Sequence, residues 1–171
     1  MKKHTIALCG TVTVFIILLG ALVFLMKQKY ELRRTIEYLS DFCLPSVSDS
    51  TVFCSMQIAK DKPVILMYFH PECELCTLKM QQIQQVSKTY GDIQWILVSF
   101  AEKDTLIKFV ETYQLTDIPN LAVLVDFQFT LHDHLHLANI PTIYIYDRRH
   151  RLVSIERGLA KFEKLIKLAY R

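Results

Sequence analysis

The 171-residue sequence lacks a strong charge of either sign: 20 Lys and Arg stand against 17 Asp and Glu, for a formal net charge of +3. The charges are spread out, so there is no case for nucleic acid as a partner. A second C-x-x-C is also missing, and a structural zinc site normally takes four Cys/His ligands, often from two such pairs. Internal repeats and low-complexity tracts are absent. What is left is a chain long enough for one ordinary domain with something to spare.

The spare part is at the front. Apolar residues make up 51% of the chain and the mean hydropathy is positive, and one segment is responsible. Thr5 to Met26 runs 22 residues without a charge, enough to cross a hydrocarbon core of about 30 Å as a helix. Its apolar region exceeds the roughly 7 to 15 residues of a cleaved signal peptide, and Gly20-Ala21-Leu22 is followed by more apolar chain. An uncleaved transmembrane anchor over residues 1–26 is expected, with Cys9 facing lipid. Lys2 and Lys3 on one side nearly balance Lys27, Lys29, Arg33 and Arg34 on the other, so charge alone does not orient it. The thiol chemistry below points to a single-pass protein of a bacterial inner (cytoplasmic) membrane, with its C-terminal domain on the periplasmic, extracytoplasmic side.

Residues 27–49 read as an amphipathic stalk, with Tyr30, Leu32, Ile36 and Leu39 at helical spacing, and a linker in which Pro45 and a serine-rich run break any helix. From residue 50 to 171, strand-like and helix-like segments alternate, which argues for an α/β layer architecture. Thr51 to Met56 reads as a first strand and Val64 to Phe69 as a fully buried central one. The next helix carries Cys76, Met80, Ile83, Val86 and Tyr90 along one face and stops at Gly91-Asp92. Ile93 to Phe100 is a strand, Lys103 to Leu115 a helix and Leu121 to Val125 a third core strand. Thr130 to Leu137 reads as one short helix. Thr142 to Tyr146 and Leu152 to Glu156 form a hairpin around a charged turn. An amphipathic helix from Leu159 to Ala169 closes the chain.

His70-Pro71-Glu72-Cys73-Glu74-Leu75-Cys76 lies where the central strand meets the long helix. Two thiols two residues apart on a helix's first turn can close a small disulfide ring, and the N–H groups there favour a thiolate on the first sulfur. Redox chemistry is the leading reading, with half of a zinc site and simple packing as its competitors. Cys43 and Cys54 form a structural disulfide, relay electrons to the first pair, or stay free; four cysteines outside the anchor allow three pairings.

A strand ending in C-x-x-C, a long helix, two further β/α steps, then Asn139-Ile140-Pro141-Thr142 opening a hairpin and a last helix resembles the thioredoxin fold, a central mixed sheet flanked by helices. Tyr68-Phe69-His70-Pro71-Glu72-Cys73-Glu74-Leu75-Cys76, Phe109 to Leu115, Val123-Leu124-Val125-Asp126 and Tyr144-Ile145-Tyr146-Asp147 carry a narrower resemblance, to membrane-anchored thiol-disulfide oxidoreductases of the TlpA/ResA type within the redoxin family. It spans about residues 50 to 171.

The resemblance implies that Cys73 is the exposed nucleophile and Cys76 the buried resolving thiol. It implies a cis bond before Pro141, lying against the active sulfurs, with the Ile140 backbone offering strand-like hydrogen bonds to substrate. His70 joins Ile140 as a candidate substrate-side residue. No cofactor is expected. The partners implied are protein disulfide or dithiol substrates and a redox partner, with the oligomeric state open. Two departures stand out: the family's tryptophan before the first cysteine is absent, and its glutamate three residues after the second is Lys79 here, read as a solvated helix lysine. Glu72 and Glu74 oppose a thiolate on Cys73 by like charge, which suggests a reductant of protein disulfides over a strong oxidant.

Two alternatives from other classes remain. His132 and His136 share a face if the helix runs through them, and with Cys73 and Cys76 they suggest a copper-binding or delivery module. A redox-silent thioredoxin-like interaction domain is the other. Peroxidase activity is not expected, because the threonine and cysteine arrangement of peroxiredoxins is missing.

Overall fold

The computed structural model describes residues 15–28, 30, 36–49, 51–158 and 162–170. The chain divides into two units, Met1–Thr35 and Ile36–Arg171.

In the first unit residues 15–28 are helical and their apolar side chains are exposed. Among the described residues no helix is long and apolar enough to cross a membrane. The expected transmembrane anchor is thereby overturned, and with it the single-pass placement in a bacterial inner membrane. Residues 5–14 of the expected span, including Cys9, lie outside the described residues, as does Leu159 of the closing helix.

The second unit is built on a five-stranded sheet of order β5-β4-β3-β6-β7. Its strands are β3 (Val64–Phe69), β4 (Gln94–Ser99), β5 (Leu121–Val125), β6 (Thr142–Tyr146) and β7 (Leu152–Arg157). β3 lies at the centre, parallel to β4 and antiparallel to β6, and all six of its side chains are buried. A run with no polar position is what a strand covered on both faces requires.

Alternation then sorts the core into two layers. Ile65, Met67 and Phe69 of β3, Trp95 and Leu97 of β4, and Ile143 and Ile145 of β6 face one cluster. That cluster is completed by α1 (Glu74–Ser87), α2 (Lys103–Thr112) and α4 (Phe162–Ala169). Val64, Leu66 and Tyr68, Ile96 and Val98, and Tyr144 and Tyr146 face the opposite cluster, which Leu131 of α3 (Thr130–His134) helps to cover.

The rest of that second face is covered by residues 36–58. Leu39 N–H donates to the His150 carbonyl and Leu152 N–H to that of Glu37, beside β7. The chain then crosses the sheet, burying Ile36, Phe42 and Leu44. Val47 N–H donates to the Val123 carbonyl on β5. This strap includes β1 (Cys43–Pro45), which pairs antiparallel with β2 (Val52–Cys54). Cys43 and Cys54 sit directly opposite one another and form a disulfide, so of the three states open to them the cross-link is the one present.

Candidate active site

The β3–α1 corner follows from local sequence. Pro71 and Glu72 leave the strand, Cys73 N–H donates back to the His70 carbonyl at 3.1 Å, and Glu72 N–H donates to His70 Nδ1 at 3.3 Å. Cys73 is the N-cap of α1 in extended conformation, and its Sγ accepts the Cys76 N–H at 3.3 Å. A sulfur in the capping position meets the unpaired amides and the positive end of the helix at once. The two cysteines therefore differ. Cys73 is half-buried, whereas Cys76 is fully buried one turn into the helix, and both are free thiols. Burial pushes the Cys76 thiol well up, and its contact with Cys73 adds to this, while the His70 backbone contact partly offsets it. One sulfur is partly accessible and held in an amide environment, and the other is buried.

Antiparallel pairing places Thr142 of β6 opposite Tyr68 of β3, so the chain enters β6 at the sheet end where β3 leaves for the cysteines. The Ile140–Pro141 bond there is cis. Pro141 is buried and Ile140 half-buried, and Cys73 and Ile140 both pack on the first core cluster. Thr142 Oγ1 donates to the Asn139 carbonyl at 2.6 Å, and Gly158 N–H donates to the Pro141 carbonyl at 3.3 Å. Cys73, Cys76, Pro141, Ile140 and His70 thus gather at one end of the sheet.

His132 and His136 do not form the expected pair. α3 ends at His134, and His136 follows it at a φ of 50°, so the two histidines share no helical face. Left-handed His136 ends the helix after the C-cap Leu135, which is buried and whose carbonyl accepts the Tyr144 hydroxyl at 2.9 Å. Among the described residues no group of three or more His, Cys, Asp or Glu could hold a metal ion, and the copper alternative has no support.

Lys79 also departs from expectation. It is 1% exposed, its Nζ donates to Gln82 Oε1 at 3.3 Å, and it lies 5.2 Å from the Phe162 ring centroid. Burial lowers its pKa, and the charge of Glu156 opposes that shift. Its position three residues past Cys76, on the face also carrying Met80 and Ile83, was the signal for burial.

A second feature escaped the sequence reading. Asp126, 1% exposed at the end of β5, accepts from the N–H groups of Thr130, Leu131 and His132 at 2.9 to 3.0 Å. It also accepts the Tyr68 hydroxyl at 2.9 Å. The carboxylate caps α3 and ties it to the strand that ends at the cysteines. An acid at a strand end four residues before Thr130 was the clue.

The fold and the cysteine pair are consistent with thiol-disulfide oxidoreductase activity. The thioredoxin-like protein YneN of Bacillus subtilis (strain 168) is 28% identical over 123 residues, covering 69% of this chain and 68% of that protein. A putative thiol:disulfide interchange protein DsbE from Chlorobium tepidum superimposes with a TM-score of 0.67 at 18% identity, over 78% of this chain and 95% of that one. StoA from Bacillus subtilis gives 0.62 at 15% identity, over 77% and 97%. These structures share the thioredoxin-like fold with this chain. Residues 37–155 match the AhpC/TSA family, and with that match spanning most of the sheet and the cysteine corner, the chain belongs to the AhpC/TSA family.

Proposed function

We propose that the protein reduces disulfides in polypeptide substrates, in the manner of the TlpA/ResA-type oxidoreductases it resembles, with Cys73 as nucleophile and Cys76 as resolving thiol. The observation that carries this reading is the asymmetry of the pair: a half-buried Cys73 capping α1 and a fully buried Cys76 behind it. The Cys73 thiolate attacks one sulfur of the substrate disulfide, forming a mixed disulfide and releasing the other sulfur as a thiolate. Cys76 then gives up its proton and attacks Cys73 Sγ, expelling the second substrate thiolate. Two electrons and two protons end on the substrate, and Cys73–Cys76 ends as a disulfide, which an external dithiol partner reduces again. The loop at Ile140 and cis-Pro141 is the seat for the substrate backbone, with His70 on the opposite flank of Cys73.

Trapping tests the assignment. Cys76→Ser accumulates a mixed disulfide between Cys73 and substrate, visible as a reductant-sensitive band shift, and Cys73→Ser abolishes both the adduct and turnover of a model protein disulfide. Adduct formation surviving in Cys73→Ser would overturn the nucleophile, and thiols that resist both oxidation and reduction would leave a redox-silent interaction domain. Exposed Glu72 and Glu74 beside Cys73 support a reducing role, so equilibration with glutathione should place the couple well below the roughly −120 mV of strong oxidants.

A further inference from the structure

A strip of aromatic rings leaves the cysteine corner on the side away from the cis-proline loop. The His70 ring lies 5.0 Å from that of Phe100, Phe100 5.3 Å from Phe129, and Phe129 5.4 Å from His132, centroid to centroid. Buried Tyr68 supports it, with its ring 6.3 Å from Phe100 and 5.8 Å from His132. The residue at the centre of this strip is in an unfavourable conformation. Phe129 has a φ of 55° and is 41% exposed, and Phe127 two residues earlier is 54% exposed. A bulky side chain in the left-handed region costs about 1 kcal/mol or more, and a ring half in water recovers little of that by burial. Backbone strain of this kind points to a role beyond folding. The shelf is also firmly mounted, because Asp126 fixes the first turn of α3 and Phe129 immediately precedes that helix.

The surrounding charge is one-sided. The segments that contribute the rings, 70–76, 99–104 and 126–134, carry Glu72, Glu74, Glu102, Asp104 and Asp133 at the surface, with Lys103 as their one lysine or arginine. Rings borne on stretches whose surface charge is mostly acidic favour a partner with an aromatic side chain and a positive charge.

We propose that the rings of His70, Phe100, Phe129 and His132 dock a substrate polypeptide segment carrying an aromatic and a basic side chain near its disulfide cysteine. This rests on the thiol-disulfide reading above and adds the substrate class. Two ring spacings separate His70 from Phe129, at most about 10 Å, which is no more than roughly three residues of extended chain. The aromatic side chain therefore sits two or three residues from the cysteine that Cys73 attacks.

The test uses the reduced full-length protein and two disulfide-linked peptide dimers of equal length. One has tryptophan and arginine two and three residues from its cysteine on both sides, and the other has serine and glutamate there. Hydroxyethyl disulfide serves as a small reference substrate. The first peptide should be reduced about tenfold faster than the second. The ratio should fall below twofold in Phe129→Ser, persist in Phe129→Tyr, and drop several-fold in Glu102→Lys, a surface change that keeps the measurement available if Phe129→Ser folds poorly. Equal rates for the two peptides with wild-type protein overturn the shelf while leaving the oxidoreductase reading intact, as does an unchanged ratio in folded Phe129→Ser. Failure to reduce either peptide or hydroxyethyl disulfide overturns that reading, and the shelf with it.

Discussion

Replacing Tyr68, Tyr144 and Tyr146 one at a time by phenylalanine removes a single hydroxyl from three neighbouring sites in one core layer, and the structure predicts three different costs. All three residues are at most 1% exposed, so no substitution changes apolar burial and none opens a cavity larger than an oxygen. Tyr68 donates to the Asp126 carboxylate at 2.9 Å. A hydrogen bond to a charged group contributes about 1.5 to 3 kcal/mol, and the variant should lose the lower part of that range because three backbone donors still satisfy Asp126. Tyr144 donates to the neutral Leu135 carbonyl at 2.9 Å, so its loss should cost about 0.5 to 1.5 kcal/mol. The Tyr146 hydroxyl is buried with no hydrogen-bond partner among the described residues. Removing a desolvated, unpaired hydroxyl should be neutral or stabilise by about 1 kcal/mol. Equilibrium unfolding in urea at pH 7, with the denaturant slope checked for constancy, reads the three values directly. A double-mutant cycle of Tyr68→Phe with Asp126→Asn should give a coupling of about 1 to 2 kcal/mol. Tyr146→Phe losing as much as Tyr68→Phe would refute the reasoning, since burial would then matter and pairing would not.

Two further outcomes follow from the same core and its staple. Burial pushes the Tyr144 phenol up to about 12, against the charge of Arg157. A folded pKa above the unfolded value of about 10 means that this contribution is intact below pH 10 and is lost as pH rises toward 12, at up to about 1.4 kcal/mol per pH unit. The stability difference between wild type and Tyr144→Phe should therefore hold steady to pH 10 and shrink above it; a difference that grows instead has the wrong sign. Converting both Cys43 and Cys54 to alanine opens a loop of sequence separation 11, for which chain entropy predicts a loss of about 3 kcal/mol. Thermal melts of that variant should match wild type whose Cys43–Cys54 bond has been reduced, and a variant as stable as the oxidised protein would show that the bridge constrains nothing.

Locally encoded features were the legible ones. β3 is written as six apolar residues in a row, β5 has the expected bounds, and the cysteine corner is announced by a strand, a Pro-Glu step and a helix start within seven residues. The strap was hidden because its signal is distributed: Phe42 and Leu44 sit among serines beside Pro45 and look like linker until Leu152 and Val123 provide backbone partners. Lys79 was misread by residue type, since its place on a buried helical face outweighs its charge. The helix through His132 is shorter than the apolar spacing of Leu131, Leu135 and Leu137 suggests, because His136 turns into the left-handed region. The aromatic shelf is legible only in three dimensions, its rings coming from three separate stretches of chain.

The strap that runs from β7 to β5 meets each rim of the sheet through a single bridge, Tyr38 to Arg151 and Ser46 to Leu124, where open backbone would otherwise invite pairing with another molecule. Its hairpin is held by a disulfide with one exposed and one half-buried cysteine, while Cys73 and Cys76 are free thiols. Any dithiol that acts on a Cys73–Cys76 disulfide must therefore discriminate between two disulfides in the same molecule. A dithiol that fails to do so opens the β1–β2 hairpin as well, and with it the fastening of the strap that spans the sheet.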